Sequence, residues 1–115
     1  MKEIAVQNHG ESALNDVSVR FGDFRYTFGS FGKGPSKRGG KHYIGGMMNV
    51  PEEVTVRWAR IPKGVDYMNV YNGWNEVPPS YRHEEKLKLS PALITNRTLM
   101  MAIEETTVRQ IAPGS

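Results

Sequence analysis

Val54-Thr55-Val56-Arg57-Trp58 places three large apolar residues at alternate positions, with Thr55 and Arg57 between them. Successive side chains of a β-strand point to opposite faces, so this stretch makes one apolar and one polar face. The same period recurs around it. Val17, Val19 and Phe21 alternate with Ser18 and Arg20; Phe24, Tyr26 and Phe28 alternate with Arg25 and Thr27. Leu87 and Leu89 alternate with Lys86 and Lys88. Ile4 and Val6, beside Lys2 and Gln7, predict a first strand, and residues 42–50 predict another.

Turn residues separate these runs. Asn8-His9-Gly10-Glu11-Ser12 reads as a turn, Gly22-Asp23 as a hairpin tip, and Asn49-Val50-Pro51-Glu52-Glu53 as a lead into the Val54 strand. Residues 90–105 admit two readings. Ser90-Pro91 suits a short helix start, while Thr95-Asn96-Arg97-Thr98 reads as a turn. Leu99, Met101 and Ile103 then alternate, and Thr106-Thr107-Val108 carries β-branched stiffness. The preferred reading is a turn followed by one or two strands. Together these runs predict an all-β fold, an antiparallel β-sandwich, immunoglobulin-like or similar. It would have about seven to eight short strands and two long loops. Neither half holds enough apolar residues for its own core, so residues 1–115 read as a single domain.

The chain has 115 residues, 38% apolar, with no cysteine and a formal charge of +3. A disulfide framework and a cysteine metal site are excluded. No apolar run approaches the ~20 residues that span a bilayer. The charge is uneven. Residues 24–51 contain five basic residues and no acid, leaving −2 on the rest of the chain. Seven of the twelve glycines fall in the same window, so a mildly acidic body carries one basic Gly-rich segment. Lys33, Lys37, Arg38 and Lys41, interleaved with Phe-Gly pairs, are candidates for a nucleic-acid contact at 29–46. One Arg-Gly-Gly triplet on an acidic body is a thin basis for it. The favoured alternative puts Phe24 and Phe28 in the core, with the lysines solvating a long hairpin loop.

Catalytic patterns fail on spacing. A phosphate loop from Gly34 requires Lys and then Ser or Thr after Gly39, where the chain has Gly40, Lys41 and His42. A dinucleotide fingerprint from Gly32 meets Lys37 in place of its last glycine. His83-Glu84 begins a zinc-protease motif that Leu87 breaks. Glu52-Glu53, Glu84-Glu85 and Glu104-Glu105 are adjacent pairs whose members face opposite sides of a strand. They are expected as strand-end charges rather than acid–base couples. No catalytic residue, metal ligand or cofactor is expected, and the chain reads as a non-enzyme.

Residues 61–83 are rich in Tyr, Asn, Gly and Pro. Aromatic rings give large contact area at low entropic cost, and Asn supplies adaptable hydrogen bonds. Tyr67, Tyr71, Trp74, Asn75 and Tyr81 are the candidate protein-binding residues; the competing expectation is that the rings pack down and cap the sandwich. Tyr71 and Trp74 also suit a sugar platform in an envelope carbohydrate-binding domain.

The order of these features resembles a known group. An Asn8-His9 turn precedes a Val17-Ser18-Val19 strand; Gly45-Gly46 and Asn49-Val50-Pro51 lead into Val54-Thr55-Val56-Arg57-Trp58; and Lys86-Leu87-Lys88-Leu89 precedes Val108-Arg109. This is similar to small bacterial lipoproteins of unassigned function, some of which are immunity proteins for lipase or phospholipase effectors of type VI secretion systems. The resemblance implies a non-enzymatic inhibitor that covers an effector's active site. The effector would be a protein encoded by an adjacent gene. It implies a periplasmic location, although residues 1–8 have no signal-peptide pattern and a cytoplasmic location is the alternative. Sandwich edges leave room for dimerisation by strand pairing.

Overall fold

The computed structural model describes residues 1–31, 39–45, 48–65 and 73–113. Its strands are β1 (Glu3–Asn8), β2 (Leu14–Phe21), β3 (Phe24–Phe31), β4 (Gly39–Tyr43), β5 (Glu53–Arg60), β6 (Arg82–Lys88), β7 (Thr98–Ile103) and β8 (Val108–Ile111). They form two four-stranded sheets, one ordered β4-β1-β7-β8 and the other β3-β2-β5-β6. Ile4, Val6, Leu99, Met101 and Ile103 of the first sheet meet Val17, Val19, Val54, Val56 and Trp58 of the second in one buried cluster. Burying each such side chain stabilises the fold by about 1.5–3 kcal/mol. The alternation in 54–58 therefore does what it predicts: its apolar positions line the sandwich interior and Arg57 faces out.

Every described strand pair is antiparallel except β1 with β7, which run parallel from Glu3↔Thr98 to Asn8↔Ile103. β2 departs from period two at one point. Leu14 and Val17 are both buried although three residues apart, because a bulge shifts the register against both β3 and β5 between them. Asp16 there takes a φ of 49°, and its N–H donates to Asn15 Oδ1 at 2.8 Å. Asp and Asn tolerate this left-handed backbone better than other non-glycine residues.

Several expectations are corrected. The strand after the Gly-rich stretch is Gly39–Tyr43, not 42–50. A Cβ on Gly39 would overlap the Val6 carbonyl oxygen, so the absence of a side chain lets β4 approach β1. Beyond β4 the Ile44 and Met48 N–H groups donate to the carbonyls of Lys2 and Met1 without continuing the strand. Phe24 is not core: it is 66% exposed, at the sheet end just past the Gly22-Asp23 turn. Phe28 is partly buried against the core cluster, its ring 5.7 Å from that of His42. Glu84 and Glu85 are mid-strand, not strand-end; Glu84 pairs outward with Arg57 and Glu85 accepts from the Val108 N–H. Residues 90–105 contain both elements weighed for them, a single 3-10 turn at Pro91–Leu93 and then β7.

One end of the sandwich is closed by Arg60. It is the last residue of β5, points inward, and is 8% exposed. Its guanidinium donates to Asn8 Oδ1 at 2.8 Å, to the Ser12 carbonyl at 2.6 Å and to the Glu104 carbonyl. The Asn8 amide completes the knot, donating to the Ser12 carbonyl at 2.9 Å and accepting from the Gly10 N–H at 3.0 Å. The β1–β2 turn and the β7–β8 turn are thereby tied to the second sheet. Burial holds the Arg60 pKa below its ordinary value, and the Glu105 charge opposes that shift.

Candidate functional site

Above β5 the chain folds back over the outer face of the second sheet. Val77, from the segment between β5 and β6, is buried with Ala59 and Ile61, and Tyr81 packs against the same cluster. This satellite core fixes the return path. It sets a 3-10 turn, Trp74–Glu76, over the sheet, entered through Gly73 at a φ of 104°.

Trp74 lands among arginines. The guanidinium carbon of Arg57 is 5.5 Å from its ring centroid and that of Arg82 is 6.0 Å away. Both distances lie within the range of cation–π attraction. Arg57 is fixed further by Glu84, with Nε to Oε2 at 2.6 Å.

A pocket of about 200 Å³ opens beside the indole, lined by Asp16, Ser18, Arg25, Thr27, Arg57 and Trp74. Each wall has a cause in the sequence. Ser18, Arg25, Thr27 and Arg57 are the polar positions of their alternating strands. Asp16 is the residue that the β2 bulge loops out. Arg25 Nη1 donates to Ser18 Oγ at 2.9 Å, which holds the guanidinium against the sheet. The Arg25 pKa is lowered by burial first, then by the positive charges of Arg57 and Arg20, with Glu84 opposing. Arg20, Arg25, Arg57 and Arg82 thus share this face with the carboxylates of Asp16 and Glu84, among other charged residues.

The residues expected to bind a protein are divided by this arrangement. Trp74 is half-buried at the pocket, Asn75 is exposed beside it, and Tyr81 is half-buried on the satellite core. Tyr67 and Tyr71 lie outside the described residues, so a Tyr71–Trp74 sugar platform lies outside them too. Lys33, Lys37 and Arg38 of the basic segment are likewise outside. Lys41 is described, and it faces the other way, on the outer side of the first sheet, with Nζ 3.7 Å from Glu3 Oε1. The sequence reading did not single out Arg25, Arg57 or Arg82. Their common signal was available as the polar half of the alternation, an arginine at each of three outward positions.

Among the described residues, no three His, Asp or Glu side chains are grouped to hold a metal ion. No described helix is long and apolar enough to cross a membrane. Protein-family models, curated proteins and solved structures were compared with the chain, and none matches it.

Proposed function

We propose that the chain is a non-enzymatic protein-binding module whose contact surface is the outer face of the β3-β2-β5-β6 sheet. The observation that carries this reading is Trp74 within cation–π range of both Arg57 and Arg82 beside a pocket. Tryptophan and arginine dominate the energetics of protein interfaces, most of all where they are preordered. Here the satellite core and the Glu84 pair fix both residue types before any partner arrives. The family resemblance gives the reading its most concrete form. The partner would be a secreted lipase or phospholipase effector encoded next to this gene, neutralised in the periplasm by coverage of its active site.

The test is binding between the full chain and the secreted protein encoded by the adjacent gene. Trp74→Ala is expected to weaken the complex at least tenfold, since loss of an anchor of this kind costs about 2 kcal/mol or more. A complex of unchanged affinity would remove this surface, and no complex at all would remove the immunity reading. The basic-segment alternative predicts affinity for oligonucleotides that falls steeply with salt.

A further inference from the structure

We propose that the pocket between Arg25, Arg57 and Trp74 is a receptor for a carboxylate side chain, and that the module recognises its protein partner by an Asp or Glu inserted there. The inference rests on the protein-binding reading above and specifies what that partner presents.

Three features point to a carboxylate. First, two guanidinium groups reach the pocket from the strands on either side of β2, Arg25 on β3 and Arg57 on β5, with Ser18 of β2 between them. Planar guanidinium donors match the two oxygens of a carboxylate, and such bonds are about twice as strong as neutral ones. Second, each guanidinium is already aimed. Arg25 spends one nitrogen on Ser18 Oγ, and Arg57 spends Nε on Glu84, so both hold their positions and keep other N–H groups. Third, the arginines on this face are close together: Arg25 is the register partner of Arg20, and the charges of Arg57 and Arg20 add to burial in lowering its pKa. A bound anion would relieve that repulsion.

The surroundings select a protein carboxylate over a nucleic-acid backbone. A phosphate backbone needs a continuous basic track. Here Asp16 lines the pocket itself and Glu84 sits against Arg57, so acidic groups interrupt the basic residues of this face. A single indole offers one stacking surface rather than a series. The pocket volume of about 200 Å³ suits one side chain. Thr27 can donate a further hydrogen bond, and the apolar stem of a glutamate would lie along Trp74.

The test is an NMR titration of the full chain, following the Arg Nε–H and Trp indole N–H signals. The probes are the blocked peptide Gly-Glu-Gly, its Gly-Gln-Gly counterpart, inorganic phosphate, and a ten-nucleotide thymidine strand. Saturable shifts of Arg25, Arg57 and Trp74 with the glutamate peptide, and none with the glutamine peptide, are the expected result. Arg25→Gln should weaken that binding about tenfold, the scale of one charged hydrogen bond, and Arg25→Lys should restore part of it. Equal response to both peptides, or no response to either, overturns the proposal. So does tighter binding of phosphate or of the thymidine strand than of the glutamate peptide. These readouts use the unaltered chain, so a variant that fails to fold does not obscure them. If Trp74→Ala abolishes the protein complex while the glutamate peptide is silent, the carboxylate receptor fails and the protein-binding reading stands.

Discussion

The His83 imidazole lies flat on the Trp58 indole, with ring centroids 5.3 Å apart and planes 13° from parallel. The two residues are register partners on β6 and β5. Burial holds the His83 pKa below its ordinary value, and the nearby Arg60 charge pushes it the same way. The native state therefore binds fewer protons than the unfolded chain as pH falls below the ordinary histidine range. Stability should be flat above that range and decline with acidification through it, by at most about 1.4 kcal/mol per pH unit for one proton. Chemical denaturation at pH 7.5 and pH 5.5 checks this. His83→Phe keeps a ring on Trp58 and should remove this part of the decline; an undiminished decline would assign it to other groups.

Arg60→Ala should be among the most damaging single changes. It strips donors from the buried Asn8 Oδ1 and Ser12 carbonyl and from the part-buried Glu104 carbonyl. A cost of about 3 kcal/mol or more is expected in urea denaturation. Arg60→Lys should recover little of it, because one ammonium cannot reproduce the spread of a guanidinium.

Gly10→Ala tests the same knot from the other side. A Cβ at Gly10 would overlap the Arg60 guanidinium, with Nη1 only 2.7 Å away. The tip of a long side chain ordinarily moves aside, but this one is held by the bonds just described. The loss should be about 1–3 kcal/mol. In the Arg60→Ala background the extra cost of Gly10→Ala should largely vanish, which a double-mutant cycle measures.

Glu84→Gln separates stability from recognition. The Arg57–Glu84 pair is solvent-facing, with side chains 29% and 52% exposed. Its removal should change stability by no more than about 0.5 kcal/mol. It also releases Arg57 from the partner that aims it, so the glutamate peptide should bind the variant more weakly than it binds the wild-type chain. Tighter binding would show that the charge of Glu84 outweighs its positioning of Arg57.

The period-two runs made most of the sandwich legible before any coordinates, since one-faced strands have few other places to go. What they could not show was pairing between distant segments. β1 and β7 each read as a strand, but nothing local to Ile4 or Leu99 specifies a parallel neighbour. Gly39 misled for a physical reason: a missing Cβ serves a loop and a close strand approach equally well. Phe24 misled because alternation reports which face a side chain takes, not whether the opposing sheet extends that far. At the site, Trp74 stood out by residue type. The arginines did not, because a solvated polar face and a binding face share the same alternation until the β5–β6 segment folds back to distinguish them.

The parallel pairing of Glu3 with Thr98 also governs when the molecule can assemble. β1 is made before the other described strands, yet it sits between β4 and β7, and β7 is the seventh of the eight described strands. During synthesis the apolar side chains Ile4 and Val6 must wait, at about 5–20 residues per second, for the strand that closes over them. The first sheet can be completed only once all eight described strands have been made. In this interval β1 lacks its parallel neighbour, and an unpaired strand edge is open to pairing with other chains.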